Sequence, residues 1–171
     1  MGFGGYFIWC AGGSELATII WGMVAIVVGF LLWNKPPAKI FMGDVGSTLL
    51  GFLIVLFAII GEKKYNVSVL LWVILYGVFW FDATLTLIRR LINDDKWYQA
   101  HRLHAYQRLQ LQQWPHGKIL LGVIAINMVL AAFAFAAFYF PQYMLFSLAG
   151  VLVMLAVSYM LVEKTQPMYL R

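Results

Sequence analysis

One cysteine, five prolines and seven carboxylates among 171 residues leave this chain short of most devices by which soluble proteins hold a shape or do chemistry. The lone Cys10 excludes an internal disulfide and any metal-thiolate cluster, and says nothing of the redox compartment. Charged residues are only 11% of the chain while 63% are hydrophobic, with mean hydropathy +0.83. A chain of this size cannot bury that much apolar surface in a core of its own, so composition excludes a soluble globular protein and identifies an integral membrane one. No internal repeat, low-complexity tract or soluble domain interrupts the pattern.

What the chain does have is a series of long apolar runs. A hydrocarbon core of about 30 Å needs roughly 20 apolar helical residues to cross, and five stretches meet or approach that, at about 16–33, 47–61, 67–88, 119–140 and 142–162. They are apolar on all sides rather than alternating, which argues against a transmembrane barrel. The expected fold is therefore all-α, a polytopic helical bundle of about five spans. Residues Gly2 to Ala11 add an apolar stub about half a span long, closed by Gly12-Gly13-Ser14-Glu15, and read as the tail of a helix that begins outside this sequence. No basic segment precedes it as in a secretory signal, and Tyr6 stands where a myristoylation signal needs Ser or Thr.

Two charged islands separate the runs, residues 34–47 and 89–118. Lys35, Lys39, Arg89, Arg90, Lys96, Arg102, Arg108, Lys118, Lys164 and Arg171 all fall on one side of alternating crossings, leaving only Lys63 and Lys64 on the other. Basic residues in short loops favour the cytoplasmic face, so both islands are expected there. The same bias accounts for the formal charge of +5 without nucleic acid as a partner.

The first island ends one span at Pro36-Pro37, which cannot continue a helix, and leads into Phe41-Met42-Gly43-Asp44-Val45-Gly46-Ser47. The next helix is expected to begin around Ser47 or Thr48, with Ser47 as its cap and a short span whose leading loop dips toward the bilayer. Glycines around Asp44 let backbone N–H groups approach a ligand, and the carboxylate suits a hard cation such as Mg²⁺ bridging to phosphates. A helix-capping role for Asp44 explains the residue as well. Asp82 lies within the third run, where an ionisable group is costly and faces a partner or polar cavity. Its spacing to Arg89 permits a structural ion pair; a role in the site is the reading favoured here.

The second island carries His101-Arg102-Leu103-His104-Ala105-Tyr106-Gln107-Arg108-Leu109. A helical segment would project His101 and His104 from one side, with Arg108 a turn further. Two histidines at this spacing can ligate zinc, yet no third ligand is evident, and Arg102 and Arg108 point to phosphate or nucleotide. A solvated basic loop is the bland alternative. Trp97, Tyr98 and Trp114 read as interfacial anchors, and Asp94-Asp95 as turn chemistry or solvation.

Together, Pro37-Ala38-Lys39-Ile40-Phe41-Met42-Gly43-Asp44-Val45-Gly46-Ser47 and the His-Arg-Leu-His-Ala-Tyr-Gln-Arg-Leu run resemble the polyprenyl-phosphate N-acetylhexosamine-1-phosphate transferases, glycosyltransferase family 4. That family includes the initiators of O-antigen and enterobacterial common antigen and the phospho-N-acetylmuramoyl-pentapeptide translocase; the histidine run takes the form typical of the lipopolysaccharide branch. The resemblance covers residues 1–171 as a C-terminal half, since the family's Asp-Asp and Asn-rich Asp-Gly motifs are missing, with 34–47 and 89–118 as cytoplasmic active-site loops. It implies transfer of a sugar 1-phosphate from a UDP-sugar to undecaprenyl phosphate at a bacterial inner membrane. Asp44 would bind or position Mg²⁺, with Mn²⁺ as an alternative, while His101, Arg102, His104 and Arg108 would hold the nucleotide or diphosphate; Asp82 stands beside Asp44 as a catalytic candidate. Taken alone the chain is expected to be inactive. The rivals are a noncatalytic membrane fragment or interaction partner, one half of a split enzyme that needs a separate N-terminal half, and a small ion-coupled transporter built on Asp82.

Overall fold

The computed structural model describes residues 1–34, 38–96, 98–99 and 103–169, and every regular element among them is helical. The expected polytopic helical architecture is what the chain adopts. Ser14–Asn34, Gly43–Tyr65, His116–Tyr139 and Pro141–Thr165 are each long and apolar enough to cross a membrane, and a bent pair, Val69–Leu75 with Gly77–Ile92, makes a fifth crossing if counted as one. The chain forms two compact units, Met1–Trp72 and Val73–Arg171.

In the first unit, α1 (Gly2–Cys10) is followed by α2 (Ser14–Asn34) after a three-residue turn. The turn closes because the Gly13 N–H donates to the Ile8 carbonyl and the Gly12 N–H to that of Trp9, which satisfies two orphan acceptors at the end of α1. Phe7, Ile8, Ala17 and Ile20 are fully buried where the two helices meet. Ile26, Leu31 and Leu32 on α2 stay more than half exposed, as a lipid-facing surface requires.

α3 (Gly43–Tyr65) is 23 residues long and begins four residues before the expected start. At about 1.5 Å per residue it spans roughly 35 Å, so the expectation of a short second span is overturned. Gly43, Asp44 and Gly46 belong to the helix rather than to a loop before it. Ser47 does not cap it either: its hydroxyl donates back to the Asp44 carbonyl at 3.1 Å. Lys63 and Lys64 lie in the last turn, favourable to the helix dipole, before Asn66 takes a left-handed conformation at φ 54°.

α4 (Val69–Leu75) and α5 (Gly77–Ile92) correspond to one expected span, bent by 75°. A break exposes backbone acceptors, and the Trp80 indole N–H reaches back to the Val73 carbonyl at 2.8 Å. Gly77 sits at the break because a Cβ there would lie 3.1 Å from Leu155 and 3.3 Å from Leu130. The second unit continues with α6 (Ala105–Leu111), α7 (His116–Tyr139) and, after a 3₁₀ turn at Pro141–Tyr143, α8 (Met144–Thr165). α7 buries Ala131, Ala134 and Ala137, and α8 buries Ser147, Val151, Leu155 and Tyr159 at four-residue spacing. Small residues on such faces allow the close helix approach that drives association in lipid, where apolar area alone gives no preference.

Candidate functional site

The first unit presents Asp44 in the opening turn of α3, where Gly43 turns the chain in with φ 67°. That dihedral lies in the left-handed region, so glycine is the residue that takes it without strain. The base of the preceding island is closed by two bonds: the Asn34 amide donates to the Ile40 carbonyl at 2.8 Å and the Lys39 N–H to that of Trp33 at 2.9 Å. Lys39 also places its ammonium 5.5 Å from the centre of the Trp33 ring. Asp44 and Thr48 form one row and Val45 and Leu49 the next, and with Phe52 they line an open groove of about 580 Å³. The groove has a carboxylate at one end and apolar side chains along the rest.

The unsatisfied N–H groups of the first turn oppose a bare cation beside Asp44. One hard oxygen donor fits Mg²⁺, which commonly takes one or two protein carboxylates and fills its shell with water and phosphate oxygens. Among the described residues no three His, Cys, Asp or Glu side chains converge as a metal site.

The second unit holds the remaining candidates. Asp82, midway along α5, accepts from the Ala105 N–H at 3.0 Å through Oδ1, and its Oδ2 lies 3.0 Å from His104 Nδ1. His104 does not sit in a helix running from His101 to Arg108, as the spacing suggested. It precedes α6 with extended backbone, φ −61° and ψ 148°, because its own N–H is taken by the Gln107 side chain at 3.3 Å and the helix begins only at Ala105. Its ring stacks on Tyr106, with centroids 6.3 Å apart and planes at 15°. His101 and Arg102, and with them Trp97, lie outside the described residues.

Arg89 does not pair with Asp82. Its guanidinium meets Glu163 of α8 through two parallel bonds of 2.6 and 2.8 Å, a fork that matches the carboxylate. Arg108 donates to the same Glu163 at 2.7 Å and to the Gln166 carbonyl at 2.7 Å, and packs over the Tyr159 ring at 5.1 Å. Only 2% of Arg108 is exposed, and its Nε and Nη2 carry no hydrogen bond. One carboxylate thus serves two guanidiniums in a partly buried cluster joining α5, α6 and α8. Arg90, also buried, donates to the carbonyls of Lys96 and Gln99 at 2.6 and 3.3 Å and shapes the loop after α5. Asp95 in that loop accepts from the Tyr169 hydroxyl, and burial together with this bond pushes the phenol up to about 12. Tyr98 and Trp114 are exposed, as anchors would be.

Glu163, Tyr159 and Gln166 escaped sequence reasoning. The available signal was a lone carboxylate closing an apolar run, a group that needs a cationic partner at a membrane edge.

Against known proteins, the model of glycosyl transferase family 4 matches residues 1–62. A probable undecaprenyl-phosphate N-acetylglucosaminyl 1-phosphate transferase of Bacillus subtilis is 34% identical over 109 residues, 63% of this chain and 30% of that protein. Phospho-N-acetylmuramoyl-pentapeptide-transferases are also similar, that of Thermodesulfovibrio yellowstonii at 28% over 74% of this chain and 34% of its own length. The one from Anoxybacillus flavithermus is 32% identical over 75% of this chain and 39% of its own length. The matched part of the chain therefore spans about a third of these curated relatives. No solved structure matches significantly.

Proposed function

Because this chain is related to glycosyl transferase family 4, we propose that it belongs to an enzyme transferring an N-acetylhexosamine 1-phosphate from a UDP-sugar to undecaprenyl phosphate. The step would initiate a cell-surface polysaccharide such as O-antigen. The supporting observation is the Asp44 groove, a carboxylate at a helix start beside the apolar side chains Val45, Leu49 and Phe52. A ligand that combines a phosphate head with a hydrocarbon tail has need of both.

In the proposed reaction an oxygen of the lipid phosphate attacks the sugar-linked phosphorus of the UDP-sugar. The bond from that phosphorus to the bridging oxygen breaks, and UMP leaves with the electron pair. Mg²⁺ or Mn²⁺, when bound, would neutralise charge on the diphosphate and ease the approach of a second anion. Asp44 would supply one oxygen to that ion. Since the start of α3 disfavours a bare cation, Asp44 is suited to a metal that arrives with an anionic substrate. His104, with His101 and Arg102, would hold the diphosphate. Arg108 enters as a fixed positive charge behind α6, committed to Glu163 rather than extended into solvent. The islands at 34–47 and 89–118 would face the cytoplasm of a bacterial inner membrane, where a soluble nucleotide sugar and a lipid acceptor can meet.

The full-length protein, purified and supplied with undecaprenyl phosphate, Mg²⁺ and a panel of UDP-N-acetylhexosamines, tests this reading. Expected is one UMP released per lipid-linked sugar diphosphate formed, with no product in chelator. A folded, full-length protein that makes no such product from any of these donors overturns it.

A further inference from the structure

We propose that residues 166–169, which follow α8, are a strap that fixes α6 in place, with Gln112 and Gln166 as positioning residues for the island that would hold the diphosphate. The effect on turnover rests on the transferase reading, and the hold on α6 on geometry alone. α6 is seven residues long, while an isolated helix shorter than about 12–15 residues is marginal in water. Its start is closed from α5, where Asp82 accepts from the Ala105 N–H at 3.0 Å. The rest is held by the strap and the end of α8. Arg108 donates to the Gln166 carbonyl at 2.7 Å. Gln112, which ends α6, donates through Nε2 to the Thr165 carbonyl at 2.5 Å and to the Gln166 side-chain oxygen at 2.7 Å.

The same segment grips the other limb of the island, because the Tyr169 hydroxyl donates to Asp95 in the loop after α5. Two stretches on either side of His104 are thus tied to one short piece of chain. That piece is itself seated by Met168, which is buried with its sulfur 4.0 Å from the Tyr159 hydroxyl. Gln112 is exposed, so water would satisfy its amide if the strap did not. Its two bonds therefore add little to global stability and act on where α6 sits. Fixing a short binding helix in advance raises affinity, since the ligand need not order it on arrival.

Gln112→Met removes both donors while keeping the length of the side chain and the charge of the island. In the full-length protein the melting temperature should stay at the wild-type value. KM for the UDP-sugar should rise about fivefold with kcat within about twofold, because the loosened helix is out of place for most of the time and bound substrate draws it back. Gln166→Met, which takes away one of the two acceptors from the strap side, should raise KM by about twofold and add nothing to Gln112→Met. Hydrogen exchange read by mass spectrometry needs no turnover: peptides covering α6 should exchange about fivefold faster in Gln112→Met, while those of α7 and α8 keep the wild-type rate. Unchanged exchange in α6, or a wild-type KM in Gln112→Met, overturns the proposal. So does a Gln166→Met variant with wild-type KM beside a raised KM in Gln112→Met, since Gln112 would then act on substrate without the strap. Should the full-length protein transfer no sugar phosphate at all, the transferase reading falls, while the exchange of α6 still decides whether the strap holds it.

Discussion

Asp44 and Glu163 are both carboxylates at the ends of long apolar helices, and the chain treats them in opposite ways. Asp44 lies in the first turn of α3 at the edge of an open groove, with its main chain set by the left-handed Gly43. Glu163 lies in the last turn of α8, enclosed by two guanidiniums, the Met168 N–H and, beyond them, the Tyr159 ring. Charge directed inward holds helices together, and charge left at a groove is available to something else. Stability and activity should therefore separate cleanly between the two sites.

On the proposed transferase reading, the largest separation is expected from Asp44→Asn in the full-length protein. Transfer of radiolabelled sugar phosphate should fall by about 10³-fold, while membrane insertion and melting temperature stay at wild-type values. Near-normal turnover would remove Asp44 from the reaction. Glu163→Leu should do the reverse. It leaves Arg89 and Arg108 facing each other without their anion, and unfolding in mild detergent should show a loss of about 3–5 kcal/mol. Leu at all three positions should regain most of that loss, because the penalty comes from uncompensated charge rather than from lost contacts.

A smaller effect sharpens the Asp44 side. A Cβ at Gly43 meets nothing within 4 Å, so Gly43→Ala is a test of backbone conformation alone. The cost at φ 67° should be about 1–2 kcal/mol, and activity should drop more than stability because the strain falls on the peptide that carries Asp44. The smallest effect belongs to Tyr169. Its phenol ionises at about 12 in the folded protein against an ordinary 10.0, so the native state holds that proton longer than the unfolded chain. The contribution to stability is complete below pH 10 and is lost as pH rises through 12, the sign expected when the folded state binds the extra proton. Tyr169→Phe should abolish this alkaline decline and remove one high-pH step from the phenolate absorbance titration.

Much of this architecture was legible in the chain. Hydropathy located every crossing, because a lipid-exposed helix must be apolar along its whole length and the structure keeps it so. Its ends were less legible. Gly43 and Gly46 read as loop residues, yet a glycine at positive φ can open a helix, and the pattern of residue types does not distinguish the two. The bend at Tyr76–Gly77 carries no proline to announce it; it depends on Leu130 and Leu155 approaching Gly77, a tertiary fact. For Asp82 the sequence left an ion pair with Arg89, on the same helix face, open beside a role in the site; the structure instead gives Asp82 to His104 and the Ala105 N–H, which only the fold brings near, and Arg89 to a residue 74 positions away.

A carboxylate shared by two guanidiniums also constrains how the sequence can drift. Losing Glu163 alone strands two cations, and losing either arginine alone shifts the balance of a site that holds three charges. Among descendants of a common ancestor, positions 89, 108 and 163 should thus change in concert or stay as they are, and a lineage with an apolar residue at one should carry compensating replacements at the others.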